Sequence, residues 1–476
     1  LPGLGHLALR RRTGALLVAA VLLTAVLGVV LLLATPREAL LRYALSPSTL
    51  LLVTLGAVAA AVGWVLVILR TFTLARPTGI TGGAQVLSLV VVLGLGAGVA
   101  VPLGFLARTA YTQRDLLTSV FQAAGPAANK ARPLGSSGTL ASTWTKPRVN
   151  IALLGGDGGP DRVGIRTDSM VVASVDTATG RTVLFSLPRN LERAQFPPGS
   201  GAAKAWPRGF YSANSLNDTL LNAVYKYGQD NPSQVPGPRT RYPGAELLKA
   251  TLGNMLGLEV DYFVLVNLQG FADIVDALGG ITVYVPERLP IGGITANGTK
   301  VKPVGYIEPG VQHLDGDRAL WFARSRLTGD DYIRMGRQRC LLNAIVKQAQ
   351  PLTVLQKFQQ IASATKSNVA TDIPQSALPA LTELAVKGKR QPISGVSFTP
   401  DLPDPNNRSR RFDVTNPDVG FMRTLVAQAI AASTAAPSPP PTATDPVGPG
   451  RGATGGPSPA ATPAPVSLDE ACQPPR

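Results

Sequence analysis

Five arginines lie close together in the stretch FARSRLTGDDYIRMGRQR, residues 322–339. They are Arg324, Arg326, Arg334, Arg337 and Arg339. Only two acidic residues, Asp330 and Asp331, lie among them, and charged residues make up just 16% of the whole chain. Guanidinium groups repel one another unless an anion lies between them, and each group can donate two parallel hydrogen bonds to a phosphate. Because two carboxylates are too few for five arginines, the stretch predicts a phosphate-binding site.

The periodicity of a predicted helix over residues 331–350 separates these arginines by direction. At about 100° per residue, the side chains within roughly a right angle of Arg334 include those of Gln338, Leu341, Leu342 and Ile345. Arg334 and Gln338 therefore continue an apolar stripe that faces inward, whereas Arg337 and Cys340 point elsewhere. Since burying an unpaired guanidinium is costly, Arg334 needs an anion, either one of the two neighbouring carboxylates or a bound phosphate.

Two more carboxylates stand near the ends of predicted strands, where they can bind a divalent cation. Asp157 follows one strand in LLGGDGG, and Asp168 opens the next in RTDSM, beside Arg166. If these strands are neighbours, both acids lie at one edge of a sheet and can hold a Mg²⁺ ion that bridges to substrate phosphate. Taken locally, Asp157 is more simply explained as a turn former, Asp168 as a strand-start cap and Arg189, in SLPRN, as a surface charge. These residues form one site only if the strands pack side by side.

Other common catalytic sites are missing from the sequence. The chain has only two histidines, His6 and His313, and two cysteines, and they are too far apart for a conventional zinc site. It lacks the G-x-S-x-G, H-E-x-x-H and G-x-x-x-x-G-K-[ST] motifs. What remains is carboxylates and arginines, a combination that suits phosphate and a hard divalent cation.

Three apolar runs near the start contain no charged residue, at 13–36, 43–69 and 83–107. Each exceeds the roughly 20 residues that a helix needs to cross a bilayer, which favours three transmembrane helices over a buried core helix or a cleaved signal peptide. Arg10, Arg11 and Arg12 precede the first run, and Arg70 and Arg76 separate the second from the third. The positive-inside rule therefore predicts a multi-pass membrane protein whose residues after 107 are extracytoplasmic.

The formal net charge of +16 would suggest nucleic-acid binding in a cytoplasmic protein. An exported domain meets no chromosome. The partners predicted for these charges are therefore the lipid bilayer and the phosphates of the cell wall, and no nucleic acid.

Composition divides the chain into four predicted segments. They are a membrane anchor (1–107), a juxtamembrane stalk (108–148), one globular domain (149–432) and a disordered tail (433–476) rich in Pro, Ala, Ser and Thr. Within the domain, strands are predicted at 149–155, 168–176, 182–188, 263–267 and 281–286. Helices are predicted at 213–227, 245–256, 268–278, 331–350, 351–365 and 374–387. Strands that alternate with helices indicate a layered α/β domain.

The chain resembles the LytR-CpsA-Psr family, membrane-anchored enzymes of bacterial cell-wall assembly, in an ordered set of motifs. These are GGD (155–157), RTDSM (166–170), LPRN (187–190), DALGGITVYVPE (276–287) and HLDGDRALWFARSR…DDYIRMGRQR (313–339). The match covers about residues 149–350 and continues more loosely to about 425. The three-span anchor and the arginine-rich RQRC sequence look like those of actinobacterial members.

This resemblance implies a three-layer α/β/α domain around a mixed sheet, with an apolar cavity for a lipid chain. It assigns Asp157 and Asp168 as metal ligands. The pyrophosphate-binding residues correspond to Arg166, Arg189, Arg324, Arg326, Arg334 and Gln338. The catalytic residues correspond to Asp168, Arg189, Arg324, Arg326 and Arg334. Many members have Asp after the Pro-Arg pair of the LPRN motif, where this chain has Asn190.

The family moves a glycopolymer from a polyprenyl-pyrophosphate carrier onto peptidoglycan, forms a phosphodiester bond and releases polyprenyl phosphate. For this chain the resemblance implies such a phosphotransferase, with Mg²⁺ or Mn²⁺ as cofactor and a pyrophosphatase side activity. The general base stays open between Asp168 and the acids at 330 and 331. The alternative is a noncatalytic binder or sensor of phosphorylated cell-wall glycans, which would not need Asp157 and Asp168. Transcriptional regulation, suggested by older family names, suits an exported domain poorly.

The two cysteines allow a separate prediction. Cys340 lies off the inward stripe of its helix, and Cys472 lies near the end of the predicted tail. Two cysteines in an exported, oxidising setting favour pairing over free thiols. We therefore expect a Cys340–Cys472 disulfide that joins the tail to the arginine-bearing helix.

Overall fold

The computed structural model describes residues 43–75, 82–121, 133–134, 143–157, 166–293, 301–325, 330–349, 368–434 and 465–473, with single residues between 16 and 35. The chain forms two compact units, Leu1–Ala123 and Ala124–Arg476. Three predictions fall on residues outside the described ranges. They concern Arg326, most of the first predicted span and the helix predicted at 351–365.

The first unit contains two long helices, α1 (Pro47–Ala75) and α2 (Gly82–Val120). Both are long and apolar enough to cross a membrane, over Pro47–Leu74 and Val86–Ser119. In the most apolar 18-residue stretch of each helix, only 6% and 0% of the stretch is buried, whereas the core helix of a soluble protein is mostly buried. The two helices pack together, and Gln113 Nε2 donates a hydrogen bond of 2.6 Å to the carbonyl of Ala44. Two candidate spans are thus described, and the count of three stays a prediction.

Helix α2 corrects the predicted stalk of residues 108–148. The helix continues thirteen residues past Ala107 and ends at Val120. The sequence between contains no glycine or proline; the first are Gly125 and Pro126. Because nothing interrupts the backbone hydrogen bonds there, the helix outlasts its apolar stretch.

The second unit is built on a mixed sheet of seven strands. Its central strands are β3 (Arg148–Gly156), β4 (Thr167–Asp176) and β5 (Thr182–Leu187). Strand β4 lies between the other two and runs antiparallel to both. The parallel neighbours are β6 (Tyr262–Asn267) beside β3 and β12 (Ile393–Ser397) beside β5. Two short edge strands, β11 (Val369–Thr371) and β13 (Val466–Ser467), complete the order β11-β6-β3-β4-β5-β12-β13. The mixed α/β sheet expected from the sequence is confirmed.

Smaller β-elements lie outside this sheet. Strand β1 (Pro133–Leu134) pairs with β2 (Thr143–Trp144), and β8 (Leu289–Ile291) pairs with β9 (Gly305–Ile307). The predicted strand at 281–286 is present as β7 (Ile281–Val285), but it pairs with β10 (Gly310–Leu314) and not with the main sheet.

Helices cover both faces of the main sheet. On one face, α4 (Val224–Asp230), α5 (Pro243–Leu256) and α10 (Val419–Thr434) enclose the larger core. Sheet residues that point into this core include Leu154, Met170, Val172, Phe185 and Phe263. The opposite face points Leu153, Val171, Ala173 and Leu184 toward α8 (Asp331–Gln348). The domain therefore has three layers.

A second core lies beyond that opposite face. It is formed by β7, β10, α6 (Leu268–Leu278), α7 (Gly316–Arg324) and α8, through residues such as Val275, Ile281, Leu314, Phe322 and Leu341. Helix α6 has the predicted bounds because its ends are marked in the sequence. Asn267 accepts the N-cap hydrogen bond from the Gly270 amide, and Gly279 ends the helix with φ of 89°.

The remaining helices depart from prediction in small ways. The segment predicted as a helix at 213–227 forms two 3₁₀ turns, Ala213–Asp218 and Leu221–Ala223, and then α4. Its first half is rich in Asn, Ser, Asp and Thr, whose side chains compete for backbone hydrogen bonds. Helix α9 (Leu378–Gly388) likewise begins after a 3₁₀ turn, and α3 (Gly201–Ala205) is a short addition.

The end of the tail also corrects the prediction of disorder over 433–476. Residues 435–464 lie outside the described part of the chain. After them, β13 joins the edge of the main sheet and α11 (Leu468–Ala471) follows it. The predicted disulfide between Cys340 and Cys472 is present, with a Cα–Cα distance of 5.3 Å.

A buried ion pair joins α5 to the sheet and gives a test of this fold. Lys249 Nζ lies 2.6 Å from Asp372 Oδ2 and 2.9 Å from Glu246 Oε2. The other oxygen of Asp372 accepts a hydrogen bond of 2.7 Å from the Phe263 amide in β6. Burial is the largest influence on Asp372 and raises the pKa of its carboxyl group, because the charged form loses hydration.

We expect Asp372→Ala to lower the free energy of unfolding by about 3–5 kcal/mol, because it leaves the Lys249 ammonium buried beside a single carboxylate. Urea unfolding followed by tryptophan fluorescence measures this loss. The control is Asp230→Ala, which breaks the exposed pair with Lys226 and should cost less than about 1 kcal/mol. Equal effects of the two substitutions would contradict the buried pair.

Candidate active site

A cavity of about 870 Å³ lies between the sheet and helices α6, α7 and α8. Much of its wall is apolar and includes Leu153, Val171, Val264, Phe271, Leu341 and Leu342. Its polar lining includes Asp157, Arg166, Asp168, Arg189, Arg324, Arg334 and Gln338. Every predicted metal-ligand and pyrophosphate-binding residue that the structure describes therefore lines this cavity. Arg326 is the predicted residue that lies outside the described part.

The pairing of β3 with β4 brings the two predicted metal-ligand acids to one sheet edge. Gly155 lies opposite Ser169 and Gly156 opposite Thr167, with a shift in register between them. A side chain at Gly155 would place its Cβ 3.0 Å from that of Ser169, which explains glycine there. Asp157 continues the ladder, because its amide donates to the Arg166 carbonyl and its Oδ1 accepts from the Arg166 amide at 2.8 Å.

Two arginines and two carboxylates form a network at the polar end of the cavity. Arg189 Nη1 donates to Asp168 Oδ1 at 2.9 Å, and Arg189 Nε donates to Asp331 Oδ2 at 2.6 Å. Arg334 Nη2 lies 3.6 Å from Asp331 Oδ1 and donates to the backbone carbonyl of Asp168 at 3.3 Å. We call these four residues the arginine–carboxylate network. It ties the end of β5, the start of β4 and the first turn of α8 together.

Burial within this network has electrostatic consequences. Arg334 is 2% exposed, as its place on the inward stripe predicts. Burial alone would lower the pKa of Arg189, but the hydrogen bonds and charges of Asp331 and Asp168 outweigh it and raise that pKa. The Arg189 guanidinium therefore stays charged beside an apolar cavity, which suits it to a ligand with several negative oxygens.

The two acids at the start of α8 have different roles. Asp330 is the N-cap, and its Oδ1 accepts hydrogen bonds from the amides of Tyr332 and Ile333. Asp331 instead faces Arg189 and Arg334. Neither acid is part of the cavity lining, whereas Asp168 is.

The end of α7 is held against α8 by contacts that place Arg324. Arg337 donates to the Ser325 carbonyl, and its Nη1 lies 3.9 Å from Glu287 Oε1. Gln338 Nε2 donates to the Ala323 carbonyl at 3.3 Å. Arg324 itself lies over the Trp321 ring, 4.9 Å from its centroid. Arg337 was predicted to point away from the inward stripe, and this prediction is wrong, because Arg337 is buried. At about 100° per residue its direction lies only about 60° from that of Arg334, so the helical period already places it near the stripe.

Arg166 is more exposed to solvent than Arg189 and Arg334. Its guanidinium pairs with Asp218 at 2.8 Å and donates to the Asn217 carbonyl at 3.2 Å. Arg166 therefore links the start of β4 to the 3₁₀ turn Ala213–Asp218.

Asn222 is a cavity residue that was not predicted. It is 4% exposed and lines the cavity, and its Oδ1 atom has no hydrogen-bond partner among the described residues. Its backbone N–H donates to the Arg189 carbonyl. The signal in the sequence is a single amide side chain inside the apolar run LLNAV. Asn190, by contrast, does not line the cavity, and its Nδ2 donates to the Tyr332 hydroxyl at 3.3 Å.

The carboxylates present fit a hard divalent cation. Asp157 and Asp168 offer oxygen donors, which Mg²⁺ prefers, and both line the polar end of the cavity. Within the part of the chain that the structure describes, no group of three or more His, Cys, Asp or Glu is arranged to hold a metal ion. Mg²⁺ in proteins is commonly held by one or two carboxylates and keeps several waters.

The chain is similar in sequence to several known proteins. Biofilm regulatory protein A of Streptococcus mutans is 28% identical over 49% of this chain and 53% of its own length. The polyisoprenyl-teichoic acid–peptidoglycan teichoic acid transferase TagU of Bacillus mycoides is 28% identical over 48% of this chain and 61% of its own length. The crystal structure of Bacillus subtilis TagV is 25% identical, covers 60% of this chain and 97% of that chain, and has a TM-score of 0.40.

The chain thus spans about half to three fifths of the length of these curated relatives. A family model described as the LytR_cpsA_psr family matches residues 119–418. This match covers more than half of the 476 residues and includes the whole arginine–carboxylate network. The chain therefore belongs to the LytR-CpsA-Psr family.

Proposed function

We propose that this protein transfers a glycopolymer from a polyprenyl-pyrophosphate carrier onto peptidoglycan, with formation of a phosphodiester bond and release of polyprenyl phosphate. The observation that carries the proposal is the division of one cavity into an apolar wall and a cationic end. An isoprenoid chain fits the first, and the diphosphate to which it is joined fits the second. Similarity to TagU of Bacillus mycoides, a polyisoprenyl-teichoic acid–peptidoglycan teichoic acid transferase, supports the same assignment.

The place of the reaction follows from the membrane helices. Arg70 and Arg76 mark the end of α1 and the connection to α2, and the positive-inside rule assigns that side to the cytoplasm. The catalytic domain after α2 is then extracytoplasmic. Because ATP is not available there, the energy for transfer must arrive in the donor, and a lipid-linked diphosphate carries it.

The chemical step is a substitution at phosphorus. An acceptor hydroxyl oxygen of peptidoglycan forms a bond to the glycan-proximal phosphorus while the bond from that phosphorus to the lipid phosphate breaks. The hydroxyl proton passes to Asp168, which lines the cavity, whereas Asp330 is occupied as the N-cap of α8. Lipid phosphate leaves with the electron pair of the broken bond.

The arginines stabilise the charge that moves during this step. Arg189 and Arg334 are fixed by Asp168 and Asp331 before substrate binds, so little reorganisation is needed when negative charge develops. Arg324, held over Trp321, and Arg166 bind the remaining phosphate oxygens. A Mg²⁺ or Mn²⁺ ion on Asp157 and Asp168, when bound, supplies further neutralisation of phosphate charge. Such catalysis is mostly positioning and electrostatics.

Replacement of Arg334 tests the electrostatic part of the proposal. Arg334→Ala should lower the rate of transfer by roughly 10²-fold or more, because a preorganised cation is lost at the transferring phosphoryl group. The measurement is turnover of a lipid-diphosphate donor by the full chain. Arg423→Ala, at an exposed arginine of α10 that bonds Asn254, is the matched control and should keep full activity. Turnover of Arg334→Ala near the normal level would remove this residue from the site.

Removal of the metal separates the enzyme from the alternative, a noncatalytic binder of phosphorylated glycans. Chelation should abolish transfer, and Mg²⁺ or Mn²⁺ should restore it, because two carboxylates and phosphate oxygens make a site for such ions. Asp168→Ala should stay inactive at any metal concentration, while Asp401→Ala, at an exposed acid, should respond like the wild type. Donor that binds equally well with and without metal, and yields no product in either case, would favour the binder.

A further inference from the structure

The last described segment of the chain, residues 465–473, closes over the sheet and is here called the C-terminal strap. Val466 lies opposite Gly395 and Ser467 opposite Ser394 in an antiparallel pairing with β12. The short helix α11 follows, and the Cys472 amide donates to the Leu468 carbonyl at 3.1 Å. The disulfide then fixes Cys472 to Cys340, 132 residues earlier in the sequence.

Leu468 anchors the strap behind the wall of the cavity. It is 1% exposed and packs in a cluster with Val171, Ala173, Leu184 and Ile393, against which Leu153, Leu342 and Cys472 also pack. Three members of this group, Leu153, Val171 and Leu342, line the cavity. One layer of side chains therefore separates the strap from the space where the lipid chain is proposed to bind.

The disulfide reaches the helix that carries the site. Cys340 lies two residues after Gln338 and directly before Leu341 and Leu342. Gln338, Leu341 and Leu342 line the cavity. The N-terminal turn of α8 is held by the arginine–carboxylate network, and its middle is held by Leu342 and by the strap. A helix fixed at both places keeps Arg334 at one distance from the sheet.

We propose that Leu468 and Cys472 are positioning residues for the transfer reaction, acting through α8 on Arg334 and Gln338 and on the wall formed by Leu342. This inference rests on the proposed function. It makes the geometry of the site depend on the redox state of Cys340 and Cys472. The strap is closed when they are joined and released when they are thiols.

The redox step balances as thiol–disulfide exchange. The two thiols lose two protons and two electrons to a disulfide-bearing exchange partner, which is reduced to two thiols through a mixed disulfide. A reducing cytosol keeps both cysteines as thiols, whereas an oxidising extracytoplasmic compartment favours the disulfide. The strap would therefore complete the site only after export.

The test compares the full-length protein, reconstituted in lipid nanodiscs, before and after reduction with dithiothreitol and again after reoxidation. Because displacement of a catalytic group by about 1 Å can cost on the order of 10²-fold, we expect kcat/KM for the lipid-diphosphate donor to fall about tenfold or more on reduction and to recover on reoxidation. The double variant Cys340→Ser/Cys472→Ser should show the low value and no response to dithiothreitol.

Substitutions at Leu468 address the packing contact without changing any thiol. Leu468→Ala should lower kcat/KM, as reduction of the disulfide does. The conservative Leu468→Met should keep most of the wild-type kcat/KM. The matched control is Leu425→Ala, at an equally buried residue of α10 in the core on the other face of the sheet. It should lower the Tm comparably and leave kcat/KM of the folded protein unchanged. A fall in kcat/KM for Leu425→Ala as large as that for Leu468→Ala would overturn the inference.

Hydrogen exchange measured by mass spectrometry makes the test independent of turnover. Reduction should speed exchange in the amides of α8 and leave α5 unchanged. If the oxidised wild type transfers no glycopolymer, the proposed function fails. Faster exchange in α8 on reduction would still support the inference that the strap holds this helix in place. If exchange in α8 and kcat/KM both stay the same on reduction, the strap has no positioning role.

Discussion

The need to keep two guanidinium groups charged beside an apolar cavity governs the construction of this domain. A buried arginine without an anion is costly, and the chain supplies the Asp331 carboxylate to both Arg189 and Arg334 and the Asp168 carboxylate to Arg189. These carboxylates come from the start of β4 and the first turn of α8, and the arginines come from the end of β5 and from α8 itself. The network can exist only if the antiparallel strands and the helix meet at one place. Its four members thus define how the sheet and α8 pack.

The two arginines of this network line the cavity together with Arg166 and Arg324. Two carboxylates balance two arginines, while Arg324 is placed over Trp321 and Arg166 reaches the more exposed Asp218. The cavity therefore has a cationic end whose side chains are already oriented. Its other wall is provided by Leu, Val and Phe side chains of the sheet and of α6 and α8. An amphiphilic ligand with an anionic head is the chemical class that matches both parts.

Sequence patterns were sufficient wherever one local rule applied. The helical period placed Arg334 and Gln338 on the stripe of Leu341 and Leu342, and all four line the cavity. The Asn267 cap and Gly279 gave the bounds of α6. Acids at the ends of β3 and β4 became neighbours because those strands pair, which was an assumption at the level of the sequence.

Features that depend on distant contacts were missed. Strand β12, with the sequence ISGVS, has one glycine, two serines and little alternation, and only its parallel pairing with β5 makes it a strand. Asn222 reaches the cavity because 3₁₀ turns replace the predicted helix before it. In each case a partner far along the chain decides the outcome.

The pairing of β13 with β12 also bears on how copies of the domain behave toward one another. An uncovered sheet edge presents backbone N–H and C=O groups that can pair with another chain. Residues Val466 and Ser467 occupy part of the edge at β12, and the opposite edge strand, β11, is only three residues long. Residues Val466 and Ser467 thus pair with backbone groups of β12 that would otherwise be open to another chain.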